Sequence, residues 1–370
     1  MDRRAWCVAG QAIRFGIALG LHLMVSPEAI DRKHHEQRCR LWYSLYRLEI
    51  LLSEQSGRPK CITTSCVTLP LELLSRHNGQ RSDRGSPYED SRALWYGILG
   101  TYSDVATAFE GGTAPWHRRP GVGTVPLEQQ FMAGINLSRI SDTISNDLYL
   151  QAASSSWLEV QNNVKASEKS LQAYRDTLLP AISMHGIYDD NPDIRSQLEL
   201  DLYRCSVQMI LYRPFLCHIV LEGQSKDSHA FNQRCARGCV EAATDCLNLI
   251  PDQPVAHLIL RTLPWWSLLH YICQAGSVLL LELCLNTVHM QGESQLVITP
   301  MVKVMAYLEC LSSDSKSAYR AWTIFRSLLD RAMRRYRTNL LKDLPEMVQR
   351  PGRWTQGDED VMQATRKALL

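Results

Sequence analysis

At 370 residues and 42.1 kDa, the chain is long enough to bury one large core or two ordinary ones. Lys and Arg number 40 against 38 Asp and Glu, a formal charge of +2, which excludes the strongly basic balance of a protein that grips nucleic acid over its whole surface. Twelve cysteines without a secretion signal or a C-x-x-C pair point to reduced thiols in an intracellular protein, not to disulfides.

The start, Met1-Asp2-Arg3-Arg4 followed by apolar residues, has the outline of a signal peptide, but Gln11, Arg14 and His22 interrupt its apolar core. It reads as an ordinary helix in which Trp6, Ala9, Ile13, Ile17 and Leu21 recur at helical spacing, with Gly16 and Gly20 on a neighbouring stripe that invites a close neighbour. A second helix is predicted to start at Ser26-Pro27, to bury Leu41, Leu45, Leu48 and Leu52, and to stop at Gly57. These two helices should pack antiparallel. Between them, Arg32-Lys33-His34-His35-Glu36 reads as a solvated helix face. An extended run follows Gly57-Arg58-Pro59 and ends at Leu69-Pro70.

Residues 75–86 read as a surface loop, 88–109 as a helix, and 110–126 as a Gly- and Pro-rich connector with no Gly-Lys-Ser/Thr to complete a phosphate cradle. Helix-period segments follow at 127–151 and 157–179, separated by a serine-rich turn, and at 194–222, where Leu198, Leu202, Cys205, Met209 and Tyr212 share a stripe and Pro214 should end or kink the helix. Cys235, Cys239 and Cys246 lie at i, i+4 and i+11 and read as one buried helix face, not as metal ligands. Pro264-Trp265-Trp266 leads a long apolar run, 268–285, whose His270, Gln274 and Glu282 mark it as a core helix, not a membrane span. Further helical segments surround Ala306-Tyr307-Leu308 and cover 318–329, and the basic stretch 331–337 reads as a solvated helix end. The fold class that results is all-α, a large multi-helix domain of antiparallel packed helices without substantial sheet.

Several of these strings resemble one family. Ala12-Ile13-Arg14, Leu19-Gly20-Leu21-His22, Arg38 to Tyr46, Gly57-Arg58-Pro59, Leu69-Pro70 and, far downstream, Leu211-Tyr212-Arg213-Pro214-Phe215-Leu216 occur in the order found in the fungal-specific transcription factor domain, the middle homology region of zinc-cluster (Zn2Cys6) regulators. Departures are Cys39 where a basic residue is common, Glu49 where Asp is common, and the absence of an acidic residue between Thr63 and Thr68.

The resemblance implies a regulatory domain over 1–338, N-terminally truncated, followed by a partly flexible tail at 339–370. It implies a nuclear (alternatively cytoplasmic) regulator of RNA polymerase II genes, among them those of a metabolic cluster or of secondary metabolism. Such a protein is no enzyme, and it responds to protein partners (the transcription machinery or a full-length relative) and to a small-molecule effector. The family's zinc belongs to an N-terminal cluster outside these 370 residues, so no cofactor, no direct DNA binding and no membrane association are expected of this chain. The signature residues Arg14, Gly20, Leu21, His22, Arg40, Trp42, Glu49, Gly57, Arg58, Pro59, Tyr212, Arg213 and Pro214 are expected to be structural.

Within that set, Arg14, Arg40, Glu49 and Arg58 are expected to form a charge network between the first two helices, because buried charges must be paired. If a small molecule binds, Trp265, Trp266 and His270 are candidates by composition. Two alternatives compete with the regulator. One is a stand-alone modulator that pairs with a full-length relative. The other is a magnesium-dependent, all-helical isoprenoid synthase, for which Asp189-Asp190-Asn191-Pro192-Asp193 has DDxxD spacing, although Pro192 disfavours helix at Asn191 and no second metal motif follows.

Overall fold

The computed structural model describes residues 3–26, 30–71, 127–150, 155–177, 192–217, 225–252, 254, 263–313 and 315–336. The described residues fold into nine α-helices with no strand among them: α1 (Arg3–Ala18), α2 (Arg32–Ser56), α3 (Leu127–Ser145), α4 (Trp157–Thr177), α5 (Pro192–Tyr212), α6 (Lys226–Asn248), α7 (Trp265–Cys284), α8 (Gln295–Ser312) and α9 (Lys316–Tyr336). The predictions for 75–86, 88–109, 110–126 and 339–370 lie outside the described residues.

Two apolar cores form. The larger joins α3 to α9, with Leu137, Leu202, Met209, Tyr271, Tyr307 and Leu308 at its centre. The smaller joins α1, α2 and the extended segment after α2, through Ile13, Trp42, Tyr43, Tyr46, Ile62 and Leu69. Helix α3 belongs to both: Ile135 closes the smaller core while Leu137 and Ile144 enter the larger.

Glycine chemistry ends both opening helices. Gly20 (φ +64°) and Gly57 (φ +62°) adopt the left-handed conformation that costs other residues about 1 kcal/mol or more. Each closes a Schellman turn. Leu21 N–H donates to Gly16 O and Gly20 N–H to Ile17 O after α1; Arg58 N–H donates to Ser53 O and Gly57 N–H to Glu54 O after α2. Gly20 is therefore a stop signal, and only Gly16 provides the close approach expected of the pair: a Cβ there would lie 3.2 Å from Leu45 Cδ1. Helices α1 and α2 run antiparallel, since Trp6 meets Arg58, Gly16 meets Leu45, and Gly20 meets Arg38.

Three expectations for α2 are corrected. It starts at Asp31, whose carboxylate accepts from His34 N–H at 2.8 Å, not at Ser26-Pro27. His35 is buried, so the charged opening is not wholly a solvated face. The leucine stripe is buried only in part: Leu52 is in the core and Leu45 packs against it, but Leu41 and Leu48 are 51% and 40% exposed, while Cys39, Trp42, Tyr46, Glu49, Ile50 and Ser53 face inward. Both stripes satisfy the helical period, and the aromatic one, with more area to remove from water, takes the interior.

Elsewhere the helices follow their expected bounds closely. A capping box opens α4, where Ser156 N–H donates to Glu159 Oε2 at 2.6 Å and Glu159 N–H to Ser156 Oγ at 3.3 Å. Helix α5 stops at Tyr212, and Arg213-Pro214-Phe215 continues as a 3-10 turn. Cys235, Cys239 and Cys246 are buried along one face of α6. Helix α7, apolar along nearly its whole length, is sheathed by α5, α6, α8 and α9, and its carboxylate Glu282 is fully buried, accepting from His289 N–H and Nδ1 in the turn that follows. In the basic stretch after Asp330, Arg331 is half-buried and Arg334 exposed, so the helix end is solvated on one side only.

Gly276 is the tightest point of that bundle. A Cβ on it would lie 2.7 Å from Phe325 Cε1 and 2.8 Å from Val304 Cγ1, too close for either to stay in place. Gly276→Ala should therefore lower stability by about 1–3 kcal/mol through overpacking, despite the better helix propensity of alanine. Thermal denaturation followed by circular dichroism measures this; an unchanged or raised Tm contradicts it.

Candidate functional site

The turn after α2 carries the family-like residues into the seam between the two cores. Gly57 reverses the chain, Arg58 stacks on Trp6 with its guanidinium 5.2 Å from the ring centroid, and Pro59 stiffens the exit. Lys60 then reaches α3, where it pairs with the buried Asp142 and donates to Asn146 Oδ1 at 3.1 Å. From α2, Glu54 accepts hydrogen bonds from Ser141 of α3 and from Tyr203 of α5, the latter at 3.4 Å. Tyr46 OH lies 3.5 Å from Asp142 Oδ2. A polar junction of α2, α3, α5 and Lys60 thus joins the small core to the large one.

Its electrostatics follow from burial. Removal from water pushes the Glu54 carboxyl up to about 7, against the Ser141 and Tyr203 hydroxyls and the Lys60 charge, which favour the ionised form. Burial lowers Lys60, with the Glu54 charge acting the other way. The phenols of Tyr46 and Tyr203 are held well above their ordinary range, chiefly by burial, and remain donors at neutral pH.

A second link lies beside it. Arg47 of α2 lies over Phe131 at 5.6 Å and its guanidinium occupies the space a Cβ on Gly134 would need, so a side chain there would displace it. The same charge offsets part of the burial that raises the carboxyl of Glu199 on α5.

The expected network of Arg14, Arg40, Glu49 and Arg58 is not formed. Glu49 is fully buried, but its Oε1 accepts from Cys61 N–H at 2.6 Å, so it anchors the extended segment through a backbone amide. Arg40 pairs with Glu36 one turn back at 2.9 Å, Arg58 serves Trp6, and Arg14 is exposed with its charge felt at Cys61. The backbone N–H serves Oε1 without burying a second charge, while Oε2 is buried with no hydrogen-bond partner among the described residues.

The other signature residues hold the same corner. Leu21 is buried, and the His22 ring packs 5.5 Å from that of the buried Trp42. His22 O accepts from Thr68 N–H, while Tyr43 OH donates to Leu69 O at 2.8 Å, which fixes Leu69-Pro70 along the hairpin. In the downstream motif, Tyr212 lays its ring on Gly238 and donates to Glu168 Oε1 at 2.9 Å, where Arg234 makes a two-bonded pair. Arg213 covers the Tyr149 ring at 5.0 Å, and Pro214 shapes the turn. The two motifs, so far apart in sequence, hold neighbouring points: Lys60 lands on Asp142 and Asn146 at the C-terminal end of α3, and Arg213, just past α5, covers Tyr149 about one turn further on.

Of the composition-based ligand candidates, Trp266 and His270 are half-buried on α7, burial pushes the His270 imidazole down to about 4, and the Trp265 side chain is outside the described set. Asp189, Asp190 and Asn191 lie outside the described residues; Pro192 opens α5, where its missing N–H costs nothing. The sequence reading missed Glu54, Lys60, Ser141, Asp142 and Tyr203. The Gly57-Arg58-Pro59 turn pointed at Lys60, but nothing local pointed at its partners more than eighty residues away.

The hairpin, the junction and the bundle define an all-helical domain, and comparison with known proteins shows what it is similar to. Residues 2–176, which span α1 to α4, match the fungal specific transcription factor domain. The chain is 26% identical over 357 residues to the transcription regulator galc of Aspergillus niger, covering 86% of this chain and 41% of that protein. It is 23% identical over 334 residues to the thiamine repressible genes regulatory protein thi1 of Schizosaccharomyces pombe, covering 90% and 36%. A stretch of 82 residues is 37% identical to the transcription factor FBD3 of Fusarium pseudograminearum. The chain thus spans about two fifths of the length of the first two relatives. No solved structure matches.

The junction predicts a pH dependence. A carboxyl raised from its ordinary 4.5 to about 7 in the folded state adds stability that is complete below pH 4.5 and is lost as pH rises through 7. Urea unfolding midpoints should accordingly fall between pH 5 and pH 8, and Glu54→Gln should flatten that fall and exceed the unaltered protein at pH 8. Lys60→Ala, which strands Asp142, should cost about 3 kcal/mol at pH 7. A midpoint that moves equally with pH in both proteins removes Glu54 from the account.

Proposed function

We propose that this chain is the regulatory part of a fungal transcription regulator, acting in the nucleus on RNA polymerase II genes, without catalysis and without touching DNA itself. The observation that carries the reading is the domain match over residues 2–176 joined to similarity with transcription regulators along most of the chain. In this reading 1–338 is the regulatory domain and 339–370 a tail. The small core offers a surface to protein partners or an effector, and the polar junction passes a change in its packing to the large bundle, since a few kcal/mol at such a seam suffices to shift a two-state equilibrium.

The test is a fusion of the chain to a heterologous DNA-binding domain in a fungal host with a matched reporter. A several-fold change in reporter output of either sign is expected, and Lys60→Ala at a permissive temperature should alter it at equal protein level. Output indistinguishable from that of the DNA-binding domain alone overturns the proposal, as does retardation of random-sequence duplex DNA by the purified chain at physiological salt.

A further inference from the structure

Among the described residues, nothing covers one apolar face of the hairpin on the smaller core. Along α1 and its closing turn, Val8, Phe15 and Leu19 are 62%, 71% and 69% exposed, spaced seven and four residues apart on one stripe. Along α2, Leu41 and Leu48 are 51% and 40% exposed, one turn on either side of Leu45. Leu45 packs against Gly16, which is one turn from Leu19, so both stripes border the same outward seam of the α1–α2 hairpin. Two antiparallel helices with apolar flanks form a groove that suits a third helix, and the twelve residues from Val8 to Leu19 give it a length of about 16 Å, or three turns.

Charge selects the occupant. Residues 3–48 carry eight Lys and Arg against three Asp and Glu, whereas the whole chain is nearly balanced. No acid lies on α1; Asp31 is held by His34 and Glu36 pairs with Arg40; Arg38 is taken up by Gly20 O and Arg47 by Phe131, which leaves Arg14 and Lys33 as the exposed cations with a described side chain. A second copy on this face would set one cationic hairpin against another, which opposes self-pairing. We infer that the α1–α2 seam is a docking groove for an amphipathic helix with acidic flanks on a protein partner. The inference rests on the regulatory reading, and names the surface through which such a domain meets its partner. Phe15, the large exposed aromatic of the stripe, is the anchor that the partner's apolar side chains enclose.

The experiment uses the full chain and a labelled 21-residue designed helix with leucines on one face and glutamates on its flanks, read by fluorescence anisotropy. Binding should weaken about ten-fold when lysines replace the glutamates, weaken as salt rises from about 0.05 to 0.5 M, and weaken at least ten-fold in the triple variant Phe15→Ser, Leu41→Ser, Leu48→Ser. These side chains are exposed, so the triple variant should keep its circular dichroism and Tm. Absence of binding, equal binding of the lysine peptide, or indifference to the triple variant overturns the groove. So does a dimer that the triple variant dissolves, or partition onto phosphatidylserine vesicles that it abolishes. The same triple variant in the reporter fusion separates the claims: loss of peptide binding with an unchanged reporter response overturns the groove alone, whereas a silent reporter with the unaltered chain overturns the regulatory reading.

Discussion

The fold depends on how its two apolar cores are joined: α3 lends apolar side chains to both, and a cluster of charges and hydrogen bonds lies in the seam beside it. Lys60 against Asp142, and Glu54 between Ser141 and Tyr203, occupy the seam where α2 meets α3 and α5. Such contacts specify geometry: a polar partner must be in place or its burial goes uncompensated. They also contribute less net stability than the same area packed with leucine. A hairpin held this way is positioned accurately on the bundle without being fused to it, which suits an element whose placement carries information.

Around that seam, the signature residues divide into makers of turns and makers of anchors. Gly20 and Gly57 stop the helices, and Arg38 fastens the first stop by donating to Gly20 O at 2.7 Å. Glu49, Tyr43 and Thr68 then tie the extended segment to the hairpin by bonds that involve main-chain groups. Because each anchor uses a backbone partner, the segment from Gly57 to Leu69 is held regardless of many of its own side chains. That explains how Cys39, and a segment with no acid between Thr63 and Thr68, sit in this corner without disrupting it. The downstream motif is held by side-chain packing instead, through Tyr212 on Gly238 and Arg213 on Tyr149.

How much of this was legible in the sequence can be judged residue by residue. Helix existence and type were readable because the apolar period is strong and its punctuation conventional: Gly57, Pro214 and Pro264 end or open helices where their backbone chemistry requires it. The inward face of α2 was not readable. Its leucines and its aromatics both repeat at helical spacing, and periodicity reports that a face exists, not which of two faces is inside. Glu49 illustrates the same limit for polar groups. Burial could be argued from its neighbours, but its partner is the Cys61 amide, and a main-chain donor leaves no mark in the identity of the residue that supplies it. Lys60 and Asp142 are eighty-two positions apart, and no local pattern links them.

The misread stripe is also the informative one. Leucines that repeat at helical spacing yet stay in water cost solubility, and a helix with apolar residues on two faces has one face more than its own core needs. In α2 the inner face is filled by Trp42, Tyr43, Tyr46 and Ile50, so Leu41 and Leu48 add nothing to that core. In α1 the inner face is filled by Ala9 and Ile13, while Phe15 and Leu19 point outward. The apolar area left over once both inner faces are filled therefore argues that the outer seam of α1 and α2 is part of what the domain does, whereas the inner one is what lets it fold.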